Sequence, residues 1–174
     1  MTRPLALLVG VPEPLHAGLR SGLSARGLEP VVAGEQGCPT EPSALAAWLD
    51  SRAPVLACLV NGRATWLGLP GQGERPVPPY PLYEAALRHL APDGGCMVTL
   101  FDHEGLNMPL VQGLMGRLAE RAGERRLCHN AMALHGPETG AALTERVETL
   151  VWLCTLEHYS PQGEFLRGWS GQPV

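Results

Sequence analysis

The chain has 174 residues, 45% hydrophobic and 17% charged, with a formal net charge of -4, which fits one domain with a sizeable core and excludes a charged disordered tail. No positive field strong enough to capture nucleic acid is present. All 13 basic residues are Arg. A chain without lysine cannot use a phosphate-loop lysine, Schiff-base chemistry or a pyridoxal site.

The first apolar run, Leu5 to Val9, is too short for a secretory h-region or a membrane span, so a cytoplasmic protein with no membrane partner is expected. Bounded by Pro4 and Gly10, it reads as a strand buried on both faces. Leu15, Leu19 and Leu23 then recur every four residues and predict a helix over 15–26, stopped by Gly27. Pro30 to Ala33 reads as a second strand, Ser43 opens a helix through Leu45, Trp48 and Leu49, and Val55 to Val60 reads as a third strand. Residues 61 to 81 are so rich in Gly and Pro that they form one long loop.

A helix follows from Leu82 to Leu90, and Pro92-Asp93-Gly94-Gly95 turns it into a fourth strand, Cys96 to Phe101. A longer helix is expected over 106–122, a fifth strand from Leu127 to Ala133, a helix from Thr144 to Leu156 and a last short strand from Glu164 to Arg167. Strand and helix alternate, so the class is α/β: a mostly parallel sheet of about six strands in one unit spanning 1–174. The five cysteines, Cys38, Cys58, Cys96, Cys128 and Cys154, contain no C-x-x-C pair and are odd in number, which reads as reduced core thiols rather than a zinc site or disulfide framework.

Five segments carry a resemblance to a known family. Ala6-Leu7-Leu8-Val9-Gly10 before a helix is similar to a first strand and its T-G-x-x-x-G-x-G turn, and Leu59-Val60-Asn61-Gly62-Arg63-Ala64 resembles L-V-N-N-A-G. Gly95 to Asp102 resembles a strand that ends in a catalytic serine, and Asn130-Ala131-Met132-Ala133 is similar to N-A-V-A-P-G, with Gly163-Glu164-Phe165-Leu166 resembling the closing strand. Together they resemble the short-chain dehydrogenase/reductase family, which implies a doubly wound Rossmann-like fold and, in intact members, NAD(P) chemistry.

The departures carry as much weight. Where the family places its second and third turn glycines, this chain has Pro14 and His16, so Gly10, Pro14, His16 and Asn61 form a degenerate cofactor site. Only 51 positions separate Gly10 from Asn61, which implies that one strand-helix segment is missing. Glu35 stands where a ribose-binding acid would fall, although a solvated surface Glu is the preferred reading. The catalytic serine position falls on Asp102, the tyrosine and lysine positions near Glu104 and Met108, and the Tyr-x-x-x-Lys pair is absent. None of Tyr80, Tyr83 and Tyr159 replaces it, because an unassisted tyrosine with a pKa of about 10 is a poor acid/base at pH 7.

Ligands of open parallel sheets bind beyond the carboxyl ends of the strands. Glu13, His16, Asn61, Arg63, Asp102, His103, Glu104 and His135 are all expected there. Asp102, Glu104 and His135 are the catalytic candidates, while Arg63 and His103 are candidates for a small anionic metabolite, with an internal Arg63–Asp102 pair preferred. No metal is expected, because neighbouring loop residues rarely aim at one point.

Leu110, Leu114 and Leu118 make an apolar stripe, with Gly113 and Gly116 admitting a second backbone. The resemblance implies dimerisation through this helix and the preceding one, as a homodimer or with a partner of the same fold. The leading expectation is a catalytically degenerate member, without cofactor, that serves as an oligomeric scaffold, binding or regulatory subunit. The alternative is an NAD(P)-dependent oxidoreductase with a non-standard active site.

Overall fold

The computed structural model describes residues 3–62, 80–91, 93–102, 113, 116, 127–134, 139–155 and 165–166. Its strands are β1 (Leu5–Val9), β2 (Glu29–Val32), β3 (Leu56–Asn61), β4 (Gly95–Asp102), β5 (Leu127–Leu134) and β6 (Phe165–Leu166). The described helices are α1 (Glu13–Ala25), α2 (Pro42–Arg52), α3 (Tyr80–His89) and α4 (Gly140–Cys154). All five strand pairings are parallel and the order is β2-β1-β3-β4-β5-β6. This is the doubly wound order 3-2-1-4-5-6 without its strand 3, since α2 alone fills the crossover from β2 to β3, and with one further parallel strand, β6, at the opposite edge.

The apolar runs that predicted strands are buried on both faces, as a parallel sheet requires. On one face Leu7, Leu59 and Met97 pack against Leu45 and Leu49 of α2 and Leu82, Ala86 and Leu90 of the α3 segment. On the other, Leu8, Val60, Val98 and Met132 pack against Leu15, Leu19 and Leu23 of α1 and Leu150 and Leu153 of α4. Helices α1 and α4 approach closely because Gly18 and Gly22 offer no Cβ; one built on Gly22 would lie 2.5 Å from Cγ2 of Val151. On the surface of the opposite layer, Asp50 of α2 accepts hydrogen bonds from Arg88 (2.7 Å) and His89 (2.9 Å) of α3.

Several boundaries differ from the sequence reading, each for a local reason. Helix α1 begins at Glu13 rather than Leu15, because Pro14 suits a first helical turn whose amides need no partner inside the helix. Helix α2 likewise begins at Pro42, after Glu41, rather than being opened by Ser43. Strand β2 starts at Glu29, and β3 runs from Leu56 to Asn61, with Val55 half exposed ahead of it. Helix α4 starts at Gly140, so Thr144 lies inside it, and its hydroxyl donates back to Gly140 O at 3.3 Å rather than capping an end. Strand β6 is described only at Phe165 and Leu166, in register with Ala131 and Met132. Of the loop expected over 61–81, Asn61 instead closes β3 and Tyr80 opens α3, two residues before the expected helix start, while residues 63–79, like most of those expected as a helix over 106–122, lie outside the described residues, although Gly113 and Gly116 are helical and exposed. Among the described residues no helix is long and apolar enough to cross a membrane.

Candidate functional site

The chain leaves β1 to one side for β2 and returns to the other for β3, so the topological switch lies between the carboxyl ends of β1 and β3. Gly10 and Gly62 meet there. The Gly62 amide donates to Val9 O at 2.7 Å, and a Cβ on Gly62 would stand 2.3 Å from Gly10 O. Gly10 itself adopts φ 59°, the left-handed region that glycine enters without steric cost.

Helix α1 opens directly over this junction through Pro12, Glu13, Pro14 and Leu15. Proline supplies no N–H at two of those four positions, and the Leu15 amide is already bonded to Pro12 O at 3.0 Å. Glu13 adds a carboxylate to the same turn, where the helix dipole favours negative charge. His16 folds back across the turn, its Nε2–H donating to Val11 O at 2.7 Å. Of the cofactor candidates, Gly10, Pro14 and His16 therefore sit together at the mouth of the switch point.

Asn61 is placed differently. It is fully buried and its side chain enters the layer under α3, where Nδ2 donates to Tyr83 Oη at 2.9 Å. Tyr83 Oη lies 2.8 Å from Thr99 Oγ1, which lies 3.0 Å from His129 Nε2. Because an amide nitrogen only donates, this chain is satisfied throughout when protons point from Asn61 to Tyr83, from Tyr83 to Thr99 and from Thr99 to a neutral His129. Burial agrees with that direction: it drives the His129 pKa down to about 4 and pushes the Tyr83 phenol up. Tyr83 is thus a locked phenol rather than a proton donor poised near neutral pH. His129 Nδ1 and Asn130 Oδ1 are buried without a hydrogen-bond partner among the described residues.

Thr99 and His129 were not picked out from the sequence, although each is a polar residue inside an apolar strand run, the signal that marks them. Arg146 was also missed; it is buried on α4 and donates through Nη1 to Ala133 O at 2.8 Å, tying the helix to the end of β5. Asp102 closes β4 in register with Leu134. Arg63, His103, Glu104, Leu110, Leu114 and His135 lie outside the described residues. Glu35 pairs with Arg20 on the surface, as the surface reading expected. All five cysteines are free and buried.

This fold is similar to that of short-chain dehydrogenase/reductases of known structure. The chain is similar to a short-chain dehydrogenase/reductase from Serratia marcescens, with a TM-score of 0.66 at 16% identity, over 95% of this chain and 96% of that one. It is similar also to an oxidoreductase of that family from Brucella ovis in complex with a partially ordered NAD, with a TM-score of 0.58 at 14% identity, over 95% of this chain and 99% of that one. An enoyl-(acyl-carrier-protein) reductase from Anaplasma phagocytophilum in complex with NAD gives a TM-score of 0.65 at 10% identity, over 95% and 92% of the two chains. No family model and no curated protein matches the chain by sequence.

Proposed function

We propose that this protein is a catalytically degenerate relative of the short-chain dehydrogenase/reductases that acts as an oligomeric scaffold, binding or regulatory subunit without NAD(P). The observation that carries this reading is the donor set at the start of α1. A pyrophosphate held at a helix N-terminus needs free backbone amides and an absence of negative charge. The first turn here has two prolines, one amide already engaged and the Glu13 carboxylate. The lost strand beside β2 removes part of the wall beside which a dinucleotide would lie, and the chain has no lysine to serve the family's tyrosine. The residues present do not fit the cofactor.

Titration of NAD(H) and NADP(H), by calorimetry or nucleotide fluorescence, tests this directly. No binding at physiological concentration is expected. A micromolar dissociation constant would overturn the reading in favour of the rival, an NAD(P)-dependent oxidoreductase with Asp102, Glu104 or a tyrosine at a non-standard active site, which the NAD complexes among the structural neighbours favour.

The association surface in this reading is the helix that carries Leu110, Gly113 and Leu114, paired with α3 as a homodimer or with a partner of the same fold. The exposure of helical Gly113 and Gly116 supports it. Light scattering should report a dimer for the wild type and a soluble monomer for Leu114→Arg, since an unpaired charge in an apolar interface opposes association. A wild type that stays monomeric at high concentration removes the oligomeric part of the proposal.

A further inference from the structure

Four of the five cysteines gather at one place that the oxidoreductase resemblance does not use. Cys58 of β3 is in register with Cys96 of β4, and Cys96 with Cys128 of β5, so three thiols stand side by side across the sheet. All three belong to the face covered by α1 and α4, and Cys154 of α4 joins them, its thiol hydrogen-bonded to Cys58. The group lies toward the amino ends of the strands. Cys96 is six residues from Asp102 along β4, about 20 Å from the carboxyl-end crevice.

The four thiols are not equivalent. Cys128 has two donors aimed at its sulfur: Asn130 Nδ2, at 3.2 Å, and the Cys96 thiol. It is also the most exposed of the five cysteines, at 7%, against 4% for Cys96, 3% for Cys154 and none for Cys58. Cys154 is buried and pushed well above the ordinary thiol range, first by its bond to Cys58 and then by burial. Residues in register on neighbouring strands stand about 4.8 Å apart, within the Cα separation that a disulfide spans.

We infer that Cys128 and Cys96 form a hydroperoxide-reactive dithiol, with Cys128 as the sulfur attacked first and Cys96 as the one that resolves it. The Cys128 sulfur takes the terminal oxygen of a hydroperoxide; an S–O bond forms, the O–O bond breaks, and the leaving hydroxide or alkoxide takes up the thiol proton. Cys96 then attacks that sulfur; an S–S bond forms, the S–O bond breaks, and the departing hydroxide takes the Cys96 proton as water. Two thiols are oxidised to one disulfide while one peroxide is reduced.

Two hydrogen bonds to the sulfur bring the Cys128 pKa down to about 7. At neutral pH a pKa about two units lower gives roughly fiftyfold more thiolate, and the accompanying tenfold loss of nucleophilicity leaves about a fivefold advantage before access is counted.

Folded, reduced protein is treated with hydrogen peroxide, quenched by alkylation, digested without reductant and mapped by mass spectrometry. The expected product is a peptide pair joined through Cys96 and Cys128. In Cys96→Ser with dimedone present, the adduct should fall on Cys128, at least about fivefold faster than on Cys154. Should Cys96→Ser fail to fold, dimedone competition in the wild type reads the first oxidised sulfur equally well. A disulfide between Cys58 and Cys154, no disulfide at all, or labelling of Cys128 no faster than that of Cys154 overturns the proposal.

Discussion

Gly62 and Gly10 hold the switch point shut against each other: a Cβ on Gly62 would stand 2.3 Å from the Gly10 carbonyl oxygen and 3.1 Å from Cα of Val11. The obstacle is backbone on both counts, and backbone cannot swing aside as a side chain does. Gly62→Ala should therefore lower stability by about 3 kcal/mol, or roughly 10 °C in melting temperature. Calorimetry that finds the variant as stable as the wild type would mean that β3 and the β1–α1 turn are not in contact.

The α1–α4 contact makes the opposite demand, because its obstacle is a side chain. On propensity alone Gly22→Ala inside a helix gains about 1 kcal/mol, while pressing on Val151 costs about 2 kcal/mol. The single variant should be less stable by about 1 kcal/mol. In a Val151→Ala background, where Cγ2 is gone, the same change should instead stabilise by about 1 kcal/mol. Urea unfolding of the four proteins reads the change of sign directly, and two effects of equal sign would refute the contact.

His129 makes stability fall with acid. Its folded pKa of about 4 is below the unfolded value of about 6.5, so between these pH values the unfolded chain binds a proton that the folded one does not. The contribution is fully present above about pH 6.5 and is lost as pH falls toward 4, amounting to about 3 kcal/mol over the window. Comparing urea midpoints of wild type and His129→Gln from pH 7.5 to 4.5 isolates it from the surface carboxylates. The variant should show a distinctly flatter profile; parallel curves would place the imidazole in contact with water.

Tyr83 and Thr99 act as a unit. Tyr83→Phe leaves Thr99 without the phenol and Asn61 Nδ2 without that acceptor, and should cost about 2 kcal/mol. Thr99→Val removes the link to His129 and should cost a similar amount, about 2 kcal/mol. Because both break the same chain, the double variant should lose well under the sum, with a coupling of about 1 kcal/mol. Strict additivity would show that the three groups do not share one network.

The strand succession was legible because a parallel sheet buries each strand on both faces, and runs such as Leu5 to Val9 and Cys96 to Phe101 announce that burial without reference to anything distant. Helix starts were less legible. Glu41-Pro42 and Pro12-Glu13 open helices without a capping side chain, whereas the local signals of a start, such as Ser43 and Thr144, fall inside the helices. At the site, the altered turn at Gly10, Pro14 and His16 was readable because it is local. The bond between Asn61 and Tyr83 was not, since nothing within either segment states that α3 lies over the end of β3. The cysteine row shows the same limit from the other side: spacing along the chain excluded a C-x-x-C motif, but only strand register brings Cys58, Cys96 and Cys128 abreast.

Loss of the outermost strand leaves β2 at the rim of the sheet, and its sequence fits that position. Glu29 and Ala33 turn their amides inward, donating to Pro4 O and Leu8 O at 2.8 Å each, so positions 30 and 32 between them face outward. Position 30 is a proline, in register with Ala6, and offers the outside no N–H. A rim with one of its two outward donors deleted is a poor template for another strand. At its β2 flank the shortened sheet is thereby guarded against adding a further strand, whether from another copy of the chain or in an aggregate.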